Sequence, residues 1–273
     1  MTINEGELKR NLMNGEEVNE NYIVSSLVRG LQILSTFTTK RPSLKVSEIA
    51  EINGLDQATV FRFVYTLEKL GYLVRDEETK RYRQGVRMLT IGLPAREGIA
   101  VRNVALPIMY ELSKTVNETV RLAVLDDVEA VTIAVAELPD RIYFRTRIGE
   151  RLPSYGTALG KVLLAYQPIE NWDRLISQID FVQHTDKTIL DPGLLREELT
   201  KIREQGYAIQ DSELLVGLGS VAAPIFDYQN HIAAAIDLSG LSTQIFDGGK
   251  PDFFIREILK SALKISEELG HTH

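Results

Sequence analysis

Between Gly54 and Leu73 the chain reads GLDQATVFRFVYTLEKLGYL, and two stripes share one helical period. Val60, Phe63, Val64, Leu67 and Leu70 recur three and four residues apart and predict an apolar face; Ala58, Arg62, Tyr65 and Lys69 recur on the opposite face. A core accounts for the first stripe. The second predicts an exposed face whose purpose the rest of the chain has to explain. Upstream, Leu27, Leu31, Leu34 and Phe37 predict a helix with one apolar face, capped by Ser25 or Ser26 and closed off by Arg41-Pro42. Val46–Asn53 predicts a second, short helix with Val46, Ile49, Ala50 and Ile52 inward. Gly54 supplies the positive φ that ends it, Leu55 plugs the turn, Asp56 caps a third helix over Gln57–Leu70, and Gly71 stops that helix. Two helices about a tight glycine turn have the spacing of a helix-turn-helix. Tyr72–Arg75 and Arg81–Gln84 then read as two strands around the polar turn Asp76–Lys80, a wing.

The pattern changes in the second half. Val86, Leu89 and Leu93 predict a connecting helix that Pro94 bends or ends. A helix is expected over Val104–Val116. Thr119–Leu125 and Glu129–Glu137 flank the turn Asp126-Asp127 as a hairpin, and Arg141–Ile148 is a third strand candidate. Ala158–Tyr166, Trp172–Gln178 and Gly193–Gln205 read as helices. Gly219–Phe226 and His231–Leu238 read as strands around Asp227–Asn230, and Phe253–Leu269 is a closing amphipathic helix stopped by Gly270. Hairpins mixed with helices predict an α+β fold with an antiparallel sheet, not a doubly wound one.

With 273 residues and 44% apolar side chains, the chain has material for two domains with a core each. No run approaches the ~20 apolar residues of a membrane helix, and the acidic N-terminus has no apolar signal region, so no membrane partner is expected. The absence of cysteine excludes disulfides, thiolate nucleophiles and cysteine zinc sites, and fits a cytoplasmic location. The net charge of −7 is unevenly spread. Residues 1–21 carry net −3, an acidic tail expected to be disordered; residues 22–90 hold eleven basic and seven acidic side chains, net +4; the remainder carries net −8. The basic segment is the one that holds the helix-turn-helix, as a polyanion-binding module would require.

That charge gives the second stripe a purpose, since the exposed face of the second helix of such a motif lies in the major groove. Arg62 can bond two acceptors of guanine or a phosphate. Gln57, Ala58 and Thr59 stand near the helix start, and Tyr65 and Lys69 continue the face. Lys80, Arg81 and Arg83 sit on the wing, placed to meet phosphates. A solvated helix face is the alternative for the stripe alone. No catalytic signature appears. His184, His231, His271 and His273 have no metal-ligand spacing, there is no P-loop, GxSxG or GxGxxG, and Asp191, Asp211 and Glu213 fit polar turns as well as acid–base work. Neither metal nor cofactor is expected.

SSLVRGLQILSTF and VSEIAEINGLDQATVFRFVYTLEKLGYLVRDEETKRYRQGVRMLTIG resemble the winged helix-turn-helix of the IclR-type transcriptional regulators. RLPSYGTALGKVLLAY and GYAIQDSELLVGLGSVAAPIFDYQNHIAAAIDLSG resemble segments of that family's effector domain, so the resemblance covers about residues 22–270. It implies a DNA-binding domain over 22–85, a linker helix over 86–102, and a GAF-like α/β effector and oligomerisation domain over 103–270. The implied partners are an operator in double-stranded DNA, a small metabolite, and further copies of the chain in a homodimer or homotetramer. The family's effector positions fall on Ala158, Leu159, Gln210, Leu218, Ser220, Asp237 and Ser239. The chain departs from the family at Lys45, where serine or threonine often precedes the second helix and where Ser47 can cap instead. It departs again at Ser220, Gln210 and Asp237. An acidic Asp237 facing the site calls for a nearby cation, Arg145 or Arg147, or else for a ligand that is neutral or brings its own donors. Because Ile236 and Leu238 alternate with Asp237 and Ser239, one pair faces the core and the other faces a polar site or solvent.

Overall fold

The computed structural model describes residues 23–38, 41–91, 100–137, 146–247 and 251–272. The acidic tail, Leu93 and Pro94 of the connecting segment, residues 141–145 of the third strand candidate and His273 lie outside them. The chain divides into two units, Met1–Arg96 and Glu97–His273.

In the first unit α1 (Ser25–Ser35) precedes β1 (Ser43–Leu44), α2 (Val46–Asn53) and α3 (Gln57–Lys69), and β2 (Leu73–Arg75) and β3 (Tyr82–Gln84) follow. The turn is built as its residues require. Gly54 sits at φ +63, and the Asp56 carboxylate accepts the Thr59 N–H at 2.8 Å. Ile33, Phe37, Ile49, Ala50, Val60, Val64, Leu73 and Tyr82 form the buried core. Four expectations fail. Leu27 and Leu31 are 61% and 56% exposed, because α1 packs along the edge that carries Gly30, Ile33 and Phe37, with Gly30 against the Phe63 ring. Ser25 and Ser26 lie inside the first turn, after a Val24 that makes no side-chain cap. Leu70 is 47% exposed, since the helix ends one residue before it. Ser47 does not cap α2 either: the chain enters at Lys45, which has no acceptor, and the Glu48 carboxylate instead takes the Lys45 N–H at 2.6 Å. The pattern did not disclose β1, which pairs with β3 and makes the wing a three-stranded sheet, β1-β3-β2. Beyond it the chain is helical over 87–91, with Val86 and Leu89 exposed.

The second unit contains α4 (Ala100–Val116), β4 (Thr119–Asp126), β5 (Glu129–Ala136), β6 (Arg151–Pro153), α5 (Ala158–Ala165), α6 (Trp172–Ser177), α7 (Pro192–Gln205), β7 (Ala208–Asp211), β8 (Leu218–Phe226), β9 (Ile232–Leu241) and α8 (Pro251–Glu268). The six strands form one antiparallel sheet in the order β6-β5-β4-β9-β8-β7. Residues 146–148 of the third strand candidate are not strand; the sheet edge is β6. Helices cover both faces. α4 and α8 pack on Val120, Leu122, Val221, Ala223, Ile236 and Leu238, while α5, α6 and α7 pack on Ala123, Ala222 and Ala235. Alternation along β9 therefore puts Asp237 and Ser239 on the α5 side. Gly160 lets the start of α5 come down on the chain before it; a Cβ there would stand 2.2 Å from Ser154 Cα.

Candidate functional site

Two groups of side chains stand out, one in each unit. On α3, Gln57, Ala58, Arg62, Tyr65 and Lys69 are all exposed on one face. Thr59 lies at the flank, half-buried, with its N–H held by Asp56. That carboxyl is held below the usual range by hydrogen bonds from the Thr59 side chain and backbone, so the cap stays charged at neutral pH. Tyr65 carries the Lys69 ammonium 5.0 Å from its ring centre. The pattern missed Phe61, which is 49% exposed on this same face and meets the Tyr65 ring at 6.2 Å. Its apolar character pointed to a core, and only its spacing, three residues after Ala58 and four before Tyr65, could have placed it on the exposed face.

The wing cations differ from one another. Lys80, at the turn, pairs loosely with Glu77 at 3.2 Å, and its side chain is 56% exposed. Arg83 is exposed. Arg81 is committed inward: it donates to the Ser43 hydroxyl at 3.2 Å and carbonyl at 3.0 Å, and pairs with Glu48 at 2.9 Å. Glu48, which the Lys45 N–H and then Arg81 hold below its ordinary pKa, thus joins the start of α2 to the wing. A shallow groove runs between them, lined by Lys45, Val46, Ser47, Gln57, Phe61, Arg75, Lys80 and Tyr82. An exposed helix face, a basic wing and this groove suit a polyanion with a readable edge.

In the second unit all seven expected positions are buried: Ala158, Leu159, Gln210, Leu218, Ser220, Asp237 and Ser239. Strand register brings three of them together and adds Thr119, which the sequence pattern does not single out. Gln210 pairs with Ser220, Ser220 with Ser239, and Ser239 with Thr119, giving one polar row across four strands. Asp237 stands in the next row, opposite Arg121 of β4. Ala158 and Leu159 open α5 over this face, where the Thr157 hydroxyl accepts the Gly160 N–H at 3.1 Å. Leu218 begins β8 on the same side, at the base of the loop 212–217.

The counter-ion of Asp237 is neither residue expected. Arg145 lies outside the described residues and Arg147 is exposed. The cation is Arg121, whose Nε donates to Asp237 Oδ1 at 2.9 Å and whose Nη2 bonds Oδ2. Their side chains are 5% and 0% exposed. Burial pushes the Asp237 carboxyl up and the guanidinium fork draws it back. A guanidinium does not deprotonate in proteins, so the two stand as an ion pair with no net charge. Among the described residues Nη1 of Arg121 reaches only the Thr146 hydroxyl, at 3.5 Å. Thr132, which pairs with Ala123 of that face, keeps a buried hydroxyl with no partner among the described residues. The Gln210 amide is satisfied when its oxygen takes the Ser212 and Glu213 N–H groups, at 3.2 and 2.9 Å, and its nitrogen faces Ser220 Oγ.

A second buried charge also escaped the pattern. Lys161 is 1% exposed within apolar α5 and bonds Glu213 at 2.8 Å, the Ile209 carbonyl at 2.8 Å and Glu198 at 3.4 Å. With the Thr185 and Thr188 hydroxyls on the carbonyls of Ser212 and Glu213, it fixes the base of the loop 212–217, whose tip at Leu215 and Val216 is exposed. The acids that could have done acid–base work are accounted for structurally. Asp191 caps α7 through Leu194 N–H at 2.9 Å, Asp211 holds Lys187 at 2.6 Å, and Glu213 holds Lys161. Among the described residues no cluster of potential ligands could hold a metal, and no helix is long and apolar enough to cross a membrane.

Comparison with known proteins agrees with both units. Residues 26–77 match the IclR helix-turn-helix domain, and residues 95–267 match the bacterial transcriptional regulator IclR C-terminal domain. The transcriptional regulator XynR of Escherichia coli is 32% identical over 250 residues, 91% of this chain and 98% of its own. The transcriptional repressor IclR of the same organism is 29% identical over 249 residues, 90% of both chains. An IclR homolog from Microbacterium hydrocarbonoxydans, solved with 4-hydroxybenzoate, superposes with a TM-score of 0.77 at 24% identity over 89% of this chain and 98% of that one. XynR is named as a transcriptional regulator and IclR as a transcriptional repressor. The chain belongs to the IclR family of bacterial transcriptional regulators.

Proposed function

We propose that the protein is a metabolite-responsive regulator that binds a pseudo-palindromic operator as a dimer or a pair of dimers, in the cytoplasm, and acts as a repressor. The exposed α3 face carries the reading: Arg62 and its neighbours project from a helix that a capped glycine turn holds in place. Arg62, Gln57 and Tyr65 are assigned to base edges. Lys69, Lys80 and Arg83 are assigned to phosphates. Arg81 positions the wing through Ser43 and Glu48 and is not assigned a direct contact. Two copies of α3 in successive major grooves stand about 34 Å apart. In the second unit the polar row and the Arg121–Asp237 pair receive a small molecule, which moves the equilibrium between two arrangements by its differential affinity for them.

The test is binding of the whole protein to DNA upstream of its own gene at stepped salt, against a scrambled duplex. Affinity is expected to fall linearly in log–log form with salt. Arg62→Ala is expected to lose roughly 1–3 kcal/mol, or about 5- to 150-fold, on the preferred sequence alone. Full-strength binding by that variant to every sequence would sink the assignment. The second reading, a C-terminal unit that only oligomerises, is favoured by the internal pairing of Asp237 with Arg121 and of Gln210 with Ser220. A metabolite panel read by thermal shift separates the two, since a ligand at 100 times its Kd stabilises by about 2.7 kcal/mol.

A further inference from the structure

We propose that Phe61 is a specificity-determining residue that reads the 5-methyl group of thymine in the major groove. The inference rests on the assignment of α3 to DNA and goes beyond it by fixing what one position of the half-site must be. Phe61 and Tyr65 are each 49% exposed on α3, one turn apart. Their ring centres are 6.2 Å apart with a 32° tilt, and the Lys69 ammonium stands 5.0 Å from the centre of the Tyr65 ring. The Phe61 ring therefore has a neighbour that sets its direction, and it lines the groove with Lys45, Gln57 and Lys80.

An exposed phenylalanine on its own needs no explanation. This one sits among cations on a face that presents Arg62, and a benzyl ring can neither donate nor accept a hydrogen bond. The apolar feature that base edges offer in the major groove is the thymine methyl. Phosphates and base acceptors are served by Arg62 and the lysines, so the ring has that single partner to discriminate. Arg62 is the next residue, one helical rise of 1.5 Å away, against 3.4 Å per base pair, which places the thymine within about two base pairs of the guanine that Arg62 would take. Ala58, three residues back on the same face, offers its Cβ to a neighbouring methyl in the same way. The alternative is that the Phe61–Tyr65 contact only steadies the helix, as aromatic and aliphatic side chains at i and i+4 do.

Selection of the full-length protein from a random duplex library would first give the preferred sequence. Each thymine of the half-site is then replaced in turn by uracil, which removes the methyl and nothing else, and binding is measured for wild type, Phe61→Leu and Phe61→Ala. Wild type is expected to lose about fourfold at one or two positions, the transfer free energy of a buried methyl. Phe61→Leu keeps part of that loss, and Phe61→Ala binds thymine and uracil equally at the position that Phe61 reads, with an unchanged melting temperature for an exposed side chain. Uracil tolerated by wild type at every position overturns the proposal while leaving α3 as the DNA-binding element. So does the same thymine preference in Phe61→Ala. No selected sequence at all would take down both this proposal and the DNA reading beneath it.

Discussion

Asp237→Ala would leave Arg121 charged and buried with its two principal bonds gone. Arg121 is 5% exposed and Asp237 fully buried, so water cannot replace the lost oxygens without opening the sheet. Removing one partner of such a pair costs about 3–5 kcal/mol, most of it the penalty of the stranded charge. For a domain of this size 1 kcal/mol corresponds to about 2–4 °C, so the C-terminal unit is expected to melt roughly 6–20 °C earlier. The companion variant Arg121→Met/Asp237→Leu removes both charges and fills the volume. Exchanging a buried pair for apolar groups is often neutral or stabilising, so it is expected within about 1–2 kcal/mol of wild type. Calorimetry of the full chain, with urea unfolding of wild type, Arg121→Met, Asp237→Leu and the double variant, measures the coupling. An Asp237→Ala protein within about 1 kcal/mol of wild type would refute the reasoning, because Arg121 would then have another partner or access to solvent. The same cycle bears on ligand binding: retention of ligand stabilisation by the double variant would show that neither charge touches the effector.

Lys161→Ala strands Glu213, whose carboxyl burial already pushes upward, and is expected to cost about 3–5 kcal/mol; Lys161→Met with Glu213→Gln should recover most of the loss in the same urea titration. Gly160→Ala forces a Cβ into the Ser154 backbone and is expected to yield insoluble or strongly destabilised protein, whereas Gly149→Ala, at an open turn with φ +81, costs only its backbone strain. The Asp211 carboxyl is held below its ordinary value, first by Lys187 and then by Ser242. A depressed acid stabilises the fold above its unfolded pKa of about 3.9 and loses that contribution as pH falls through the folded value. Asp211→Asn should therefore flatten the decline of Tm below about pH 4 and leave its pH dependence near 7 unchanged.

Much of the first unit was legible because its signals are local. Gly54, Asp56 and Gly71 each act on their own backbone, and the bounds of α2 came out residue for residue. The failure on α1 has the opposite cause. Of the expected face, Leu34 and Phe37 reach the core and Leu27 and Leu31 do not; Ile33 and the bare backbone at Gly30 take their place, and the choice is made by α3, far along the chain. The two-residue β1 lies below what any period can reveal. In the second unit, strand and helix positions were readable from alternation and turn residues, but β7 was hidden in a segment of four residues beside a loop. The residues gathered at the polar row came from resemblance, and their burial is a matter of strand register. Arg121 could not be found as the partner of Asp237 because the two are 116 residues apart and meet only through the β4–β9 pairing. Lys161 hid in the reverse way, as one charge in an apolar helix whose counter-ion lies in a later loop.

That central pairing of β4 with β9 also sets the order of events as the polypeptide leaves the ribosome. The β4–β5 hairpin emerges early, but the strand that completes its open side is made only after 116 further residues separate Arg121 from Asp237. At about 5–20 residues per second the edge waits roughly 6–23 s, presenting unpaired backbone groups and an arginine without its carboxylate. The C-terminal hairpin is thus the keystone of the domain. A nonsense mutation anywhere before Ile232 leaves the middle of the sheet open, and its product is material for proteases and chaperones instead of a shortened regulator.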